Sequence, residues 1–164
     1  MLSVKSVTNE KRAQYMRALS LFANIGVAEA YLDKIGVDVV LANELIKRRA
    51  ELYSAIYPHT EMICGDITEK NTYEEVKSKS IAEKIDIIIA TPPCQGFSRA
   101  CRNQDENDSR NLLIMPVISL VKEIQPKYVF IENVPQLLET EVTINGNKTL
   151  IQNYIESDLG NQYH

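Results

Sequence analysis

Ile85-Asp86-Ile87-Ile88-Ile89-Ala90-Thr91-Pro92-Pro93-Cys94-Gln95 is the stretch that decides the fold. Ile85 to Ala90 is rich in β-branched residues, which suits a strand. An apolar run with so little polar alternation implies a strand covered on both faces, as in a parallel sheet. Pro92 and Pro93 fix the backbone directly after it. They hold Cys94 at the sheet's carboxyl edge, outside the core.

Upstream of this strand the chain alternates. Leu19 to Ala23 reads as a short buried strand, Asn24 to Val27 as a turn and Ala28 to Ile35 as a helix. Val37 to Ala42 is a second strand, and Ile46 to Tyr57 is a helix with apolar residues at helical spacing, ended by Pro58. Glu61 to Cys64 is a third strand, with Cys64 expected in the core, and Tyr73 to Glu83 a polar helix. Downstream, Thr91 to Asn111 is a long polar stretch. Leu112 to Ile124 is a helix, Tyr128 to Ile131 a strand and Leu150 to Leu159 a last helix. Strands alternating with helices imply parallel pairing through right-handed crossovers. The expected class is α/β, a doubly wound, mostly parallel sheet.

In such sheets ligands bind beyond the carboxyl ends of the strands, where strand order reverses. Turn or acidic residues stand at five of those ends: Asn24 to Gly26, Glu44, Asp66, Pro92 to Gln95, and Glu132. Gly26 lets a backbone approach a ligand, and Asn24 tolerates left-handed φ better than most residues. Glu44 follows the turn at the distance where an acid accepts hydrogen bonds from ribose hydroxyls. Asp66 can accept from an adenine amino group, or can cap a turn. Taken alone these features are weak, because a glycine turn with a downstream acid arises by chance in many α/β proteins. A free cysteine more often packs as a small hydrophobe than it acts as a nucleophile, but Pro93 and Gln95 make packing a poor explanation for Cys94. Cys101 lacks that rigid frame. Glu132 is a candidate acid or hydrogen-bonding group beside the cysteine loop.

Bulk properties narrow the alternatives. The 164 residues suit one domain, with a hydrophobic fraction of 45% and a charged fraction of 24%. The net charge of −4 argues against a stand-alone DNA binder, since phosphate neutralisation dominates nucleic-acid affinity. The three cysteines form no Cys-x-x-Cys pair, and with two histidines they make a metal site unexpected. Cysteine usage, the lack of an apolar leader and the lack of a long apolar run point to a cytoplasmic protein with no membrane partner.

Pro92-Pro93-Cys94-Gln95 followed by Glu132-Asn133-Val134 resembles the signature of the C5-cytosine DNA methyltransferases. Phe22-x-Asn24-x-Gly26, Glu44, Gly65-Asp66-Ile67 and Arg110-Asn111-Leu112 match that family in order and spacing. The resemblance runs from about Leu19 to at least Gln136. It implies a Rossmann-like methyltransferase sheet with S-adenosylmethionine as cofactor. By it, Phe22, Ala23, Asn24 and Gly26 line the cofactor, Glu44 holds the ribose, Asp66 and Ile67 hold the adenine, and Leu45, Pro92, Asn111 and Leu112 border the site. Cys94 becomes the nucleophile and Glu132 the group that holds the target cytosine. Pro93, Gln95, Gly96, Ser98, Arg110, Asn133 and Val134 belong to the substrate side and the catalytic loop.

The chain departs from the family where Asn24 and Val27 replace glycines and Leu45 replaces an aromatic residue. The family's Gln-x-Arg-x-Arg segment, target-recognition domain and closing helix do not appear before His164. The expectation is a C-terminally incomplete catalytic domain, residues 1–164, that needs a missing half or complementary subunit to methylate DNA. A tRNA-methylating enzyme of the same family, and a non-catalytic subunit or fragment, are the alternatives.

Overall fold

The computed structural model describes residues 15–93, 113–144 and 147–163. Five strands form one sheet in the order β3-β2-β1-β4-β5: β1 Met16–Leu21, β2 Val37–Glu44, β3 Glu61–Cys64, β4 Ile87–Ala90 and β5 Tyr128–Ile131. Every neighbouring pair in it is parallel. Order reverses between β1 and β4, which makes their carboxyl ends the switch point.

Helices lie on both faces. Leu19, Leu21, Leu41, Ile63 and Ile88 point to one side, into a core shared with Val76 of α2 (Lys70–Ala82) and with α3 (Ile114–Ile124). Helix α3 buries Ile114, Val117, Ile118 and Val121, a stripe at helical spacing. Pro116 is tolerated because it sits in the first turn, where its missing N–H has no helical partner to lose. The helix stops at Gln125, in the left-handed conformation with φ 52°, just ahead of Pro126. Helix α4 (Ile151–Leu159) closes this core with Ile151 and Leu159. On the other face, α1 (Lys47–Ile56) seats its buried Tyr53 against Ala23 and Ala42.

Asp86 sets the start of β4. Its backbone N–H donates to the Arg17 carbonyl and its own carbonyl accepts from Tyr128, while its carboxylate accepts the Arg17 N–H at 3.0 Å. Lys127 pairs with the same carboxylate at 2.7 Å. That cation, with the Arg17 N–H, holds the Asp86 carboxyl below its usual range. One acid thus ties the amino ends of β1, β4 and β5.

Three expectations are corrected, and one pair of strands is added. Ala28 to Ile35 is not a helix but a series of turns followed by a short 3-10 helix, Leu32–Ile35. Tyr31 and Ile35 face solvent, Leu32 packs against buried residues of β1, β2 and β4, and Glu29 is buried and accepts a hydrogen bond from Ser20 Oγ. Cys64 is exposed rather than in the core, because β3 is an edge strand and Cys64 points away from Ile63. Nearly continuous apolar strands imply cover on both sheet faces; this holds at β4, which is buried throughout, and fails at β5, where Tyr128 and Phe130 are 56% and 58% exposed on the open edge. Finally, β6 (Glu141–Ile144) and β7 (Asn147–Leu150) form an antiparallel pair that the sequence reading omitted. An Asn-Gly pair between two short runs was its available signal.

Candidate functional site

The carboxyl ends of β1 to β4 surround a cavity of about 500 Å³. The first turn builds one wall. Phe22, Asn24 and Gly26 have φ of 57°, 52° and 84°, so three alternate residues take the left-handed conformation. A bulky residue such as Phe22 adopts it at a cost and keeps it only where the surroundings impose it. Here the impositions are visible. Ala23 N–H donates to the Asn43 carbonyl, Gly26 N–H to the Ala23 carbonyl, and Thr91 Oγ1 to the Phe22 carbonyl at 3.2 Å. Asn24 N–H donates to Glu44 Oε2 at 2.8 Å.

Glu44 joins two walls. Its other oxygen, Oε1, accepts the Ile46 N–H at 2.8 Å, and the residue is 5% exposed. Each carboxylate oxygen retains accepting capacity beyond these bonds. Asn43, 2% exposed, donates from Nδ2 to the carbonyls of Ile63 and Gly65, both at 3.0 Å. That pair of bonds fixes the end of β3 against β2, and with it Asp66. Asp66 Oδ1 accepts from Thr68 N–H at 2.9 Å and from Thr68 Oγ1 at 2.7 Å, a turn-capping arrangement.

Of the residues singled out in the sequence, Phe22, Asn24, Glu44, Leu45, Asp66, Ile67 and Pro93 line the cavity. Three others lie behind it. Ala23 packs against Tyr53 and Ala42, Gly26 is buried under Tyr57, and Pro92 is buried with its carbonyl accepting from Asn133 Nδ2 at 2.9 Å. Asn133 also accepts the Val134 N–H through Oδ1. Glu132 continues the sheet ladder through its N–H to the Ala90 carbonyl and has an exposed side chain. Cys94, Gln95, Gly96, Ser98, Cys101, Arg110, Asn111 and Leu112 lie outside the described residues. Leu113, next after them, lines the cavity.

Sequence reasoning passed over Asn43, Ile46, Arg49, Thr68 and Thr91. Asn43 carried a signal: an amide in an otherwise apolar strand has to find partners. Arg49 carried none, since a helical arginine usually belongs to a solvated face.

The cavity suits an adenosine-type group. Phe22 provides an aromatic ring, Leu45 and Ile67 provide aliphatic surface, and Glu44 and Asp66 provide acceptors for hydroxyl and amino groups. Among the described residues no group of three or more His, Cys, Asp or Glu side chains could hold a metal ion, and no helix is long and apolar enough to cross a membrane.

Comparison with known proteins agrees with this architecture. Residues 16–164 match the family model of the C-5 cytosine-specific DNA methylases. The Type II methyltransferase M1.HgaI of Avibacterium volantium is 45% identical over 89% of this chain and 42% of its own length. The Type II methyltransferase M.HhaI of Haemophilus parahaemolyticus is 31% identical over 94% of this chain and 44% of its own. This chain therefore spans less than half the length of these relatives. Among solved structures, one described as a DNA modification methyltransferase encoded within a prophage (E. coli) superposes with a TM-score of 0.67 at 26% identity. It covers 91% of this chain and 39% of the other. DNMT2 of Spodoptera frugiperda shares the fold, with a TM-score of 0.60 at 20% identity, covering 88% and 40%. A parallel sheet with its switch point at β1 and β4, a cavity at its carboxyl ends and a match over residues 16–164 place this chain in the C-5 cytosine-specific DNA methylase family.

Proposed function

We propose that this chain is the cofactor-binding and nucleophile-bearing part of an enzyme that methylates C5 of cytosine in DNA. What supports the reading is one observation: Pro93, the residue before Cys94, lines the same cavity as Glu44 and Asp66. A nucleophile there would stand beside a nucleoside-shaped site. S-adenosylmethionine, when bound, supplies an electrophilic sulfonium methyl. Glu44 would hold its ribose hydroxyls, Asp66 its adenine amino group, and Phe22, Leu45 and Ile67 the faces of the base.

The chain's own residues account for the remaining chemistry. C5 of cytosine is a poor nucleophile. Addition of the Cys94 thiolate to C6 places an electron pair on C5, which becomes enamine-like and can attack a methyl group. Glu132 holds the cytosine ring nitrogen and amino group and stabilises charge developing there. Loss of the C5 proton to a solvent base then returns its electron pair to the ring, expels the thiolate from C6 and restores the aromatic ring. The base has to leave the duplex for any of this to occur. The net charge of −4 gives the chain little general attraction for a duplex, and the chain spans less than half the length of the Type II methyltransferases it matches.

The test is adduct trapping on DNA carrying 5-fluorocytosine at the target position, with the chain joined to the C-terminal part found in relatives. Fluorine cannot leave as a proton does, so the covalent adduct persists. Cys94→Ser abolishes trapping and Cys101→Ser retains it. An adduct mapped to Cys101 rejects the assignment, and transfer to tRNA but not DNA in parallel assays replaces DNA as substrate.

A further inference from the structure

Gly26 lies in the turn assigned above to the cofactor, yet it does not line the cavity; it is buried beside Tyr57, the residue that follows α1. A side chain at Gly26 would collide with the ring of Tyr57. Tyr57 Oη donates to the Gly26 carbonyl at 2.6 Å. Tyr57 is itself fixed: its N–H donates to the Tyr53 carbonyl at 2.8 Å, its carbonyl accepts from Thr60 N–H at 3.1 Å, and its ring meets that of Tyr53 at a centroid distance of 4.8 Å. Tyr53 is fully buried. The turn is thus gripped from two sides, by Glu44 at Asn24 and by Tyr57 at Gly26.

We infer that Tyr57 is a positioning residue for cofactor binding: its ring occupies the space a side chain at Gly26 would need, and its hydroxyl locks the turn that presents Phe22 and Asn24 to the cavity. The inference rests on the proposed function, since it takes the occupant to be S-adenosylmethionine. It reassigns the glycine. Gly26 is bare to admit a tyrosine from its own chain, and its positive φ adds a second reason for having no side chain. Three left-handed residues in five form a turn with low intrinsic stability, so losing one clamp spreads the turn over more conformations and lowers the fraction ready to bind.

Calorimetric titration of S-adenosylmethionine into the wild type, Tyr57→Phe, Tyr57→Ala, Gly26→Ala and the Gly26→Ala/Tyr57→Ala double variant tests this. Tyr57→Phe keeps the ring and loses one hydrogen bond, so affinity falls by roughly fivefold while the cofactor-free melting temperature moves by only a few degrees. Tyr57→Ala weakens binding further, and restoring the ring as phenylalanine recovers most of that difference. Gly26→Ala is severe when Tyr57 is present and markedly milder in the Tyr57→Ala background, a non-additivity that a double-mutant cycle reads directly. Wild-type binding with unchanged affinity in Tyr57→Phe and Tyr57→Ala overturns the inference alone. An equal penalty for Gly26→Ala in both backgrounds leaves the positive φ, not Tyr57, as the reason for the glycine and also overturns it. A wild-type chain that takes up no cofactor overturns the proposed function and this inference with it.

Discussion

Asn133 and Pro92, 41 positions apart, are joined by a hydrogen bond from Asn133 Nδ2 to the Pro92 carbonyl at 2.9 Å. It connects the two short motifs that carry the proposed chemistry, one after β4 and one after β5. Among the described residues the Pro92 carbonyl accepts from no backbone N–H, and a buried acceptor left unpaired costs about 1–3 kcal/mol. Asn133→Ala is expected to lower the melting temperature by roughly 3–10 °C at this chain length. Calorimetric melting checks it. In the complete enzyme the same change should slow methyl transfer more than it weakens cofactor binding, because Asn133 is not among the cavity residues.

Glu44 offers a second test. Glu44→Ala strips the Asn24 and Ile46 N–H groups of their acceptor, and Glu44→Gln leaves only one oxygen to accept. Cofactor affinity should fall in the order wild type, Gln, Ala, with more than a tenfold loss for Ala on the basis of about 1.5 kcal/mol or more per bond to a charged group. Equal affinity in all three proteins would remove Glu44 from the site.

Leu45 lines the cavity and is 61% exposed where an aromatic side chain would stack better. Base-on-aromatic stacking is worth about 1–3 kcal/mol. Leu45→Trp is expected to tighten S-adenosylmethionine binding by about five- to tenfold or more, read by the same titration.

Glu29 gives a pH signature. It is 4% exposed and has one carboxyl oxygen without a partner among the described residues. Burial raises its pKa above the ordinary 4.5, against the opposing hydrogen bond from Ser20. Its raised folded pKa means that the stabilising contribution is complete below 4.5, where the group is protonated in both states. That contribution is lost as pH climbs through the folded value. Urea unfolding at several pH values should show wild-type stability dropping over this interval, with Glu29→Gln flat across it. The variant therefore gains relative to wild type as pH rises. Parallel pH profiles would show that Glu29 does not titrate there.

The strands were legible because their composition is extreme. Ile87 to Ala90 and Tyr128 to Ile131 cannot be soluble helix surface, and β3 and β5 have the bounds their residues suggest. The carboxyl-end residues followed from strand position alone, which is why Glu44 and Asp66 could be named before any contact was known. Strand position does not separate Pro92 from Pro93, and the resemblance puts Pro92 at the cofactor and Pro93 on the substrate side. Both follow β4, yet Pro93 meets the cavity and Pro92 turns inward to Asn133. Neighbouring residues at the end of a strand point to opposite sides, and which side holds the ligand is a property of the sheet.

The sequence by itself determined the alternation of strands and helices, the acidic and turn residues at strand ends, and the family signature. Those depend on local preference and on order along the chain. Only the tertiary structure decided that Glu44 clasps Asn24, that Asn43 fixes the end of β3, and that Tyr57 rather than a ligand fills the space beside Gly26. Such pairs are separated by some twenty to thirty residues. Their meeting depends on the parallel crossover that returns the chain to the same edge of the sheet, and no local pattern encodes which side chains then come within hydrogen-bonding reach.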